Sequence, residues 1–189
     1  SLGGKGRGLA FLDRMIKKVR ENEIEHADLL HIPKTLVLCT DIFDEFMETN
    51  ELYSIAMSDI SDEEMLACFL RGRLPHRLLA DLEVFIEVVK APLAIRSSSL
   101  LEDSHYQPFA GIYSTYMIPY DEDKYCRLEM LANAIKGVYA SVYFRGSKDY
   151  MTATSNVIDQ EKMAVILQEV VGQQYGTRFY PNVSGVARS

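Results

Sequence analysis

Several features that mark particular classes of protein are missing from this sequence. Three cysteines occur among the 189 residues, at positions 39, 68 and 126, and their odd number and wide spacing fit neither a disulfide framework nor a CxxC zinc site. No apolar run approaches the ~20 residues of a membrane-spanning helix, and no signal peptide opens the chain. We therefore expect reduced, mostly buried thiols, no membrane partner and a cytoplasmic protein.

Positive charge is in short supply as well. The 20 lysines and arginines are outnumbered by 27 aspartates and glutamates, which gives a formal net charge of -7. Nucleic acids and anionic membranes are bound by broad cationic surfaces, so this balance argues against both partners and leaves room for a local cationic pocket. Because 48% of the residues are hydrophobic and 25% are charged, we expect one globular domain that binds a small molecule.

Apolar periodicity divides the chain into helices and short strands. Strands are predicted at 35–39, 93–95, 112–118, 163–167 and 183–187, with the last two forming a hairpin across the turn-rich stretch 172–182. Helices are predicted from Leu9, after Thr40-Asp41 as an N-cap, after a capping box at 61–64, after Pro75, and over 125–143. This pattern predicts an α/β or α+β domain in which helices flank a mixed sheet.

The first candidate site is the glycine-rich segment at residues 3–8, Gly-Gly-Lys-Gly-Arg-Gly. Glycine lets backbone N–H groups approach phosphate oxygens closely, the helix predicted from Leu9 adds the positive end of its dipole, and Lys5 adds a mobile charge. The spacing is not that of a GxxxxGK[ST] loop, and no strand precedes it. A phosphate site and a merely flexible glycine-rich segment therefore both remain open.

The second candidate site is the segment at residues 95–99, Ile-Arg-Ser-Ser-Ser. Arg96 has a planar fork that binds two phosphate oxygens, and Ser97 and Ser98 add hydroxyl and amide donors. The alternative is that Arg96 pairs with one of the carboxylates at 102–103. Its predicted place at the carboxyl end of a strand, where ligands gather in α/β sheets, favours a binding role.

Metal ligands are not predicted. The four histidines, at positions 26, 31, 76 and 105, have no spacing typical of a metal site or a catalytic triad. The acidic runs at 62–64 and 102–103 are typical of solvated surfaces. We therefore assign no catalytic residue and no metal ligand.

Taken in order, four groups of residues resemble the nucleotide-binding domain of phosphoenolpyruvate synthase and pyruvate phosphate dikinase. They are Gly-Gly-Lys-Gly at 3–6, Ile-Pro at 32–33 with Thr-Asp-Ile-Phe-Asp-Glu-Phe at 40–46, Ile-Arg-Ser-Ser-Ser at 95–99 with Glu-Asp at 102–103 and Phe-Ala-Gly at 109–111, and Val-Ile-Leu-Gln-Glu-Val-Val at 165–171 with Val-Ser-Gly-Val at 183–186. The similarity spans nearly the whole chain. Ordered agreement of several motifs is more specific than any one of them.

The resemblance implies that this chain is the first lobe of an ATP-grasp-like nucleotide-binding domain, in which ATP lies between two lobes. By the match of motifs, Lys5 and Arg96 correspond to the cations that contact the triphosphate. Ser97 and Ser98 correspond to donors in the loop that follows Arg96. ATP, with Mg²⁺, is therefore the expected cofactor.

The resemblance also implies where the adenine lies. Residues 168–171 correspond to the connector that lines the adenine pocket, so Gln168, Glu169 and Val171 are expected to bind the cofactor, chiefly through backbone groups. Two departures from the family pattern concern this region and the loop after Arg96: residues 172–182 are an apparent insertion, and Tyr-Gln-Pro at 106–108 replaces a small, acidic stretch.

A larger phosphotransferase is implied as well. In such enzymes, a histidine on a separate swivelling domain takes a phosphoryl group from ATP and passes it to pyruvate in a barrel domain. No residue here matches that histidine, the Mg²⁺ ligands or the barrel, so residues 1–189 are expected to be a truncated ATP-binding domain, inactive alone, of a protein that can form a homodimer. Two alternatives stay open: a dikinase with another acceptor, such as a glucan or an antibiotic, and a non-catalytic nucleotide-sensing domain.

Overall fold

The computed structural model describes residues 1–22, 29–99, 111–153 and 161–185. Its helices are α1 (Gly3–Glu21), α2 (Thr40–Thr49), α3 (Tyr53–Ala56), α4 (Asp62–Arg71), α5 (His76–Val88), α6 (Lys124–Ser141) and α7 (Arg145–Ala153). Its strands are β1 (Thr35–Leu38), β2 (Leu93–Ser98), β3 (Thr115–Ile118), β4 (Ala164–Glu169), β5 (Gln173–Tyr175) and β6 (Arg178–Tyr180). The predicted combination of helices and sheet in one α+β domain is confirmed.

The main sheet has the strand order β1-β4-β2-β3. Each pairing between these strands is antiparallel, whereas the sequence analysis expected a mixed sheet. Strand β4 lies between β1 and β2, and its residues 164–167 are fully buried. A continuous apolar run is what a strand covered on both faces requires.

The predicted hairpin between 163–167 and 183–187 is wrong. Both edges of β4 are already occupied, by β1 and by β2, so no position beside it remains for a further strand. The hairpin is formed instead within the stretch 172–182, where β5 pairs with β6 in a separate two-stranded sheet. Residues 183–185 lie outside any strand, and 186–187 lie outside the described residues.

The two faces of the main sheet have different partners. Successive side chains of a strand point to opposite faces, and one face directs Leu93, Ile95 and Leu167 into the main hydrophobic core. Helices α2 and α6 pack against the strands on this side. The opposite face contains Arg96, Ser98 and Gln168 and is contacted by α1.

Helix α6 is buried on more sides than its sequence indicates. Tyr125, the first residue of the predicted helix, is 82% exposed, while Leu131 and Val138 are fully buried. The second half of the helix is buried almost continuously, so a single apolar stripe does not describe it. A Cβ at Gly137 would lie 2.6 Å from the Tyr116 ring of β3, which explains the glycine within the helix.

The helix-start predictions had different outcomes. The capping box before α4 is confirmed, because the Glu64 N–H donates to Ser61 Oγ (3.2 Å) and the Ser61 N–H donates to Glu64 Oε2 (3.0 Å). Pro75 immediately precedes α5, as predicted. The predicted cap at Thr40 is wrong, since α2 already includes Thr40 and its N-cap residue, Cys39, makes no side-chain cap hydrogen bond.

Tyr139 of α6 lies at the centre of an aromatic cluster, and its hydroxyl group is a source of instability. Its ring centroid is 5.1 Å from that of Phe43 and 5.5 Å from that of Phe46. The side chain is fully buried, which raises the pKa of the phenol, and among the described residues its hydroxyl has no hydrogen-bond partner. A buried polar group without a partner retains its full desolvation penalty.

Replacing Tyr139 by Phe is expected to raise the free energy of unfolding by about 1 kcal/mol, because the penalty is removed and the ring stays. Urea denaturation followed by circular dichroism measures this. As a control, Tyr139→Leu removes the ring contacts with Phe43 and Phe46 and should lower stability instead. A loss of more than about 1 kcal/mol in Tyr139→Phe would show that the hydroxyl is satisfied after all.

Candidate nucleotide-binding site

The first turn of α1 is docked on the end of β2; we call this contact the α1–β2 junction and define it by Gly4, Lys5, Gly6, Ser97 and Ser98. The Gly4 N–H donates to the Ser99 carbonyl oxygen at 3.0 Å. The Gly6 N–H donates to Ser98 Oγ at 3.0 Å. The expectation of a flexible glycine loop before a helix at Leu9 is therefore wrong: the glycines form the first turns of the helix.

Close approach explains why glycine is needed at this contact. Gly3 has a φ of 66°, and a Cβ there would overlap the carbonyl oxygen of Ser98. At Gly6 a Cβ would lie 3.3 Å from Val37 Cγ1. The glycines thus bring the helix onto the strand, and the N–H groups of Gly4 and Gly6 bind the protein itself rather than being directed at a ligand.

Lys5 extends across the junction. Its Nζ donates to the carbonyl oxygen of Ser97 at 3.2 Å, and the side chain is half-buried. Because Ser97 directly follows Arg96, the ammonium group contacts the backbone of β2 one residue along from that arginine. Two cations that are 91 positions apart in the sequence are thereby attached to adjacent residues of one strand.

Arg96 lies within β2 rather than after it, because the strand continues to Ser98. Its Nη1 donates to Gln168 Oε1 of β4 at 3.3 Å, and Gln168 Nε2 donates to Thr35 Oγ1 of β1 at 3.2 Å. Among the described residues Arg96 has no carboxylate partner; Glu102 and Asp103, its alternative partners, lie outside them. The polar row from Thr35 to Arg96 holds the guanidinium group on the face away from the core.

The serines after Arg96 are not loop residues. Ser97 and Ser98 belong to β2 and are 2% and 0% exposed. Ser98 Oγ accepts a hydrogen bond from the Gly6 N–H and donates one to the Leu2 carbonyl oxygen at 3.0 Å. The Ser98 hydroxyl therefore fastens α1 to the sheet.

The opposite end of β2 opens into a cleft of about 820 Å³, which we call the connector cleft. The connector leaves β4 along one wall of it, where the Glu169 N–H donates to the Lys34 carbonyl oxygen and the Val170 N–H donates to the Pro92 carbonyl oxygen, both at 2.9 Å. Glu169 also accepts the Lys34 N–H at Oε2 (3.2 Å). Val171, which is 65% exposed, lines the cleft where the connector departs from the sheet.

Cations outnumber carboxylates in the connector cleft. Lys34, Lys90 and Arg178 line it, and Glu169 is the one carboxylate that does so within the described part of the chain. Prolines 33, 92 and 119, together with Phe179, supply apolar surface. The cleft therefore combines apolar walls with a local positive charge in a protein of net charge -7.

The connector cleft and the α1–β2 junction are separated by the length of one strand. At about 3.4 Å per residue, Leu93 and Ser98 lie roughly 17 Å apart. Between them, Ala94, Arg96 and Gln168 are half-buried on the face away from the core. This arrangement suits an elongated ligand with an apolar head in the cleft and an anionic tail at the junction.

Other kinds of site find less support in the structure. Over the described ranges, no group of three or more His, Cys, Asp and Glu side chains is arranged to hold a metal ion. No helix among those residues is long and apolar enough to span a bilayer. The three cysteines are free thiols, as predicted, although each is half-buried rather than buried.

The sequence analysis missed several residues of the site. Nothing local marks Thr35 or Lys34, because their contacts with Gln168 and Glu169 join positions more than 130 residues apart. Phe179 lies in the stretch that was expected to be a turn-rich insertion. The sequence feature that could have indicated a hairpin in this stretch is Gly176, which lies between Tyr175 and Phe179. Its φ of 62° fits a tight turn.

Comparison with known proteins supplies a chemical identity for the ligand. A family model described as "Pyruvate phosphate dikinase, AMP/ATP-binding domain" matches residues 1–189, the whole chain. A comparison with curated proteins found no match. An adenine nucleotide combines a largely apolar base with an anionic phosphate tail.

Proposed function

Because this chain belongs to the pyruvate phosphate dikinase AMP/ATP-binding domain family, we propose that it is the ATP-binding portion of a phosphoenolpyruvate-synthase-like phosphotransferase. Family membership makes the chain a nucleotide-binding module. In the proposal, residues 1–189 form part of a longer cytoplasmic protein. Its phosphohistidine and barrel domains transfer the phosphoryl group of ATP to pyruvate.

One observation carries the proposal: Lys5 contacts β2 at the residue next to Arg96. The Lys5 ammonium group is bonded to the carbonyl oxygen of the residue that follows Arg96. Phosphoryl transfer depends mainly on how the phosphoryl group and its acceptor are positioned. It also depends on neutralising the negative charge that is spread over the phosphate oxygens. An ammonium group and a planar guanidinium group carried by neighbouring parts of β2 suit that task, so we assign these two side chains to the β- and γ-phosphates.

The remaining predicted residues have supporting roles in this proposal. Ser97 and Ser98 hold α1, and with it Lys5, against the end of β2. Gln168 orients Arg96, while Glu169 and Val171 line the adenine pocket in the connector cleft. The polar row that begins at Thr35 keeps the guanidinium extended over the sheet without neutralising its charge.

Other components of the reaction lie outside the described residues. The Mg²⁺ that accompanies ATP would be held by ligands elsewhere, since the described carboxylates form no cluster for it. When bound, it would neutralise part of the phosphate charge. This chain's own contribution is to bind the nucleotide and to keep the triphosphate extended over the sheet.

Replacing Arg96 by Ala in the full-length protein is expected to raise the Kd for ATP by about ten- to a hundredfold, because a charge-assisted hydrogen bond contributes about 1.5–3 kcal/mol. ATP-dependent histidine phosphorylation should fall by a similar factor or more. Isothermal titration calorimetry measures the Kd, and labelling from γ-³²P ATP measures the transfer.

Arg145→Ala is the matched control. Arg145 is an exposed arginine, 78% accessible, whose ion pair with Asp59 is 3.8 Å long. Its removal should leave both the Kd and the labelling unchanged. Normal ATP affinity in Arg96→Ala would overturn the role assigned to Arg96. If the unmodified protein binds nucleotide but no histidine becomes labelled, the result would support a nucleotide sensor instead.

A further inference from the structure

The β5–β6 hairpin lies beside the connector cleft. It begins directly after the connector, and Gln174, Arg178 and Phe179 line the cleft together with Glu169 and the chain around Pro92. The chain turns sharply at Gly172, where a Cβ would overlap the carbonyl oxygen of Tyr180. The hairpin is therefore folded back against its own starting point, and its position relative to the connector is fixed.

The register of the hairpin decides which of its side chains share a face; Arg178, on the face opposite Gln174, also borders the cleft. Gln174 pairs with Phe179, while Gln173 pairs with Tyr180 and Tyr175 with Arg178. Since side chains alternate along a strand, Gln174 and Phe179 share one face, and both line the cleft. The other face is held together by the Tyr175 and Tyr180 rings, whose centroids are 6.5 Å apart.

The cleft-facing pair has the chemistry to recognise an adenine base. A half-buried phenylalanine ring offers a flat apolar surface on which a base stacks. The Gln174 amide is oriented, because its Nε2 donates to the Gly176 carbonyl oxygen at 3.0 Å. That bond leaves Oε1 as an acceptor, which suits the amino group of adenine and disfavours the carbonyl oxygen that guanine has at the same position.

We propose that the β5–β6 hairpin is the outer wall of the base pocket, with the Phe179 ring stacking on the base and Gln174 Oε1 selecting adenine over guanine. The inference rests on the proposed function, because it requires the connector cleft to hold the base of ATP. It assigns a specificity role to the stretch that departs from the family pattern.

The test compares nucleotides in calorimetric titrations of the full-length protein. Phe179→Ala should raise the Kd for ATP by about ten- to a hundredfold, as expected for the loss of one base–aromatic stack. Phe179→Leu, which keeps an apolar side chain but not a flat ring, should give a smaller rise. The Kd for inorganic tripolyphosphate, which has no base, should not change in either variant.

Gln174→Ala should reduce the preference for ATP over GTP by about two- to tenfold, as expected for the loss of a single hydrogen bond. The neighbouring Gln173→Ala is the matched control: its side chain does not line the cleft, so its removal should leave the preference unchanged. Equal effects of the two substitutions, or a Phe179→Ala protein with unchanged ATP affinity, would overturn the role of the hairpin.

The outcomes separate the two proposals. If Arg96→Ala weakens ATP binding and Phe179→Ala does not, the phosphate site stands and the base pocket lies elsewhere. If the unmodified protein binds tripolyphosphate as tightly as ATP, the base makes no contribution and the hairpin proposal fails alone. If neither ATP nor tripolyphosphate binds at millimolar concentration, both the hairpin proposal and the proposed function fail.

Discussion

Replacing Gly3 by Ala is expected to separate the first turn of α1 from β2 and to weaken ATP binding by at least about tenfold. The new Cβ would overlap the Ser98 carbonyl oxygen, and the φ of 66° at this position is itself unfavourable for alanine. Because backbone cannot yield as a flexible side chain can, the helix must move away. Lys5 moves with it, so the phosphate site loses a cation although no predicted nucleotide contact has been mutated.

The expected loss in the free energy of unfolding is about 3 kcal/mol, typical of strain at a special backbone position. Hydrogen exchange should rise in the first turns of α1 and at the end of β2, but not in α6. Chemical denaturation, hydrogen exchange and ATP titration of the same variant together measure these effects.

Gly8→Ala is the control for this substitution. Gly8 is in the same helix, and a Cβ there meets no atom within 4 Å. Alanine is the better helix former, so this variant should gain up to about 1 kcal/mol of stability and should keep its ATP affinity. If Gly3→Ala behaves like Gly8→Ala, the contact between α1 and β2 does not exist in solution.

Replacing Arg127 by Met is expected to lower the free energy of unfolding by about 1–3 kcal/mol. Arg127 of α6 is 3% exposed, and burial lowers the pKa of its guanidinium. It donates to the carbonyl oxygens of Ile86 and Val89 at 3.0 Å and of Ala91 at 3.4 Å. Methionine fills similar space but leaves these carbonyl oxygens, at the end of α5, without donors.

A second effect of Arg127→Met should appear in the nucleotide site. Ala91 and Pro92 line the connector cleft, so loosening this backbone should raise the Kd for ATP. Arg127→Lys, which keeps a donor and the charge, should lose less stability than the methionine variant. Urea denaturation measures the difference; a methionine variant as stable as the unmodified chain would mean that water replaces the guanidinium.

The parts of the fold that were predictable from sequence are those set by neighbouring residues. The capping box of Ser61 and Glu64 satisfies backbone groups within one helical turn, and Pro75 ends one segment and starts the next. Strand β4 was recognisable because its apolar run is continuous. Each of these features depends on fewer than ten consecutive residues.

The parts that failed depend on distant partners. The sheet order decides that β4 has no free edge for a hairpin, and no local pattern states that order. Arg127 is a charged residue within an apolar helix, and its partners lie 36 to 41 positions earlier in the chain. The helix was expected to begin at Leu9, after the glycines at 3–8, because nothing local shows that these glycines pack against a strand more than 90 residues away.

The candidate site was only partly visible for the same reason. Lys5 and Arg96 were selected by their chemical type and by the family resemblance, and their roles stay predictions until ATP binding is measured. The hydrogen bond from Lys5 to the Ser97 carbonyl oxygen joins distant parts of the chain, so no local sequence spacing could predict it. The hairpin that carries Phe179 was noticed as a departure from the family, and its position beside the cleft follows from the fold alone.

The bond between Gly6 and Ser98 also sets the order of events at the ribosome. The two residues are 92 positions apart, and at 5–20 residues per second the later one emerges roughly 5 to 18 seconds after the earlier. During that interval the glycine-rich turn has no strand to dock on, because its acceptor has not yet been translated. The proposed triphosphate end of the site therefore cannot assemble until Ser98 has been translated, because Ser98 is where the first turns of α1 are fastened.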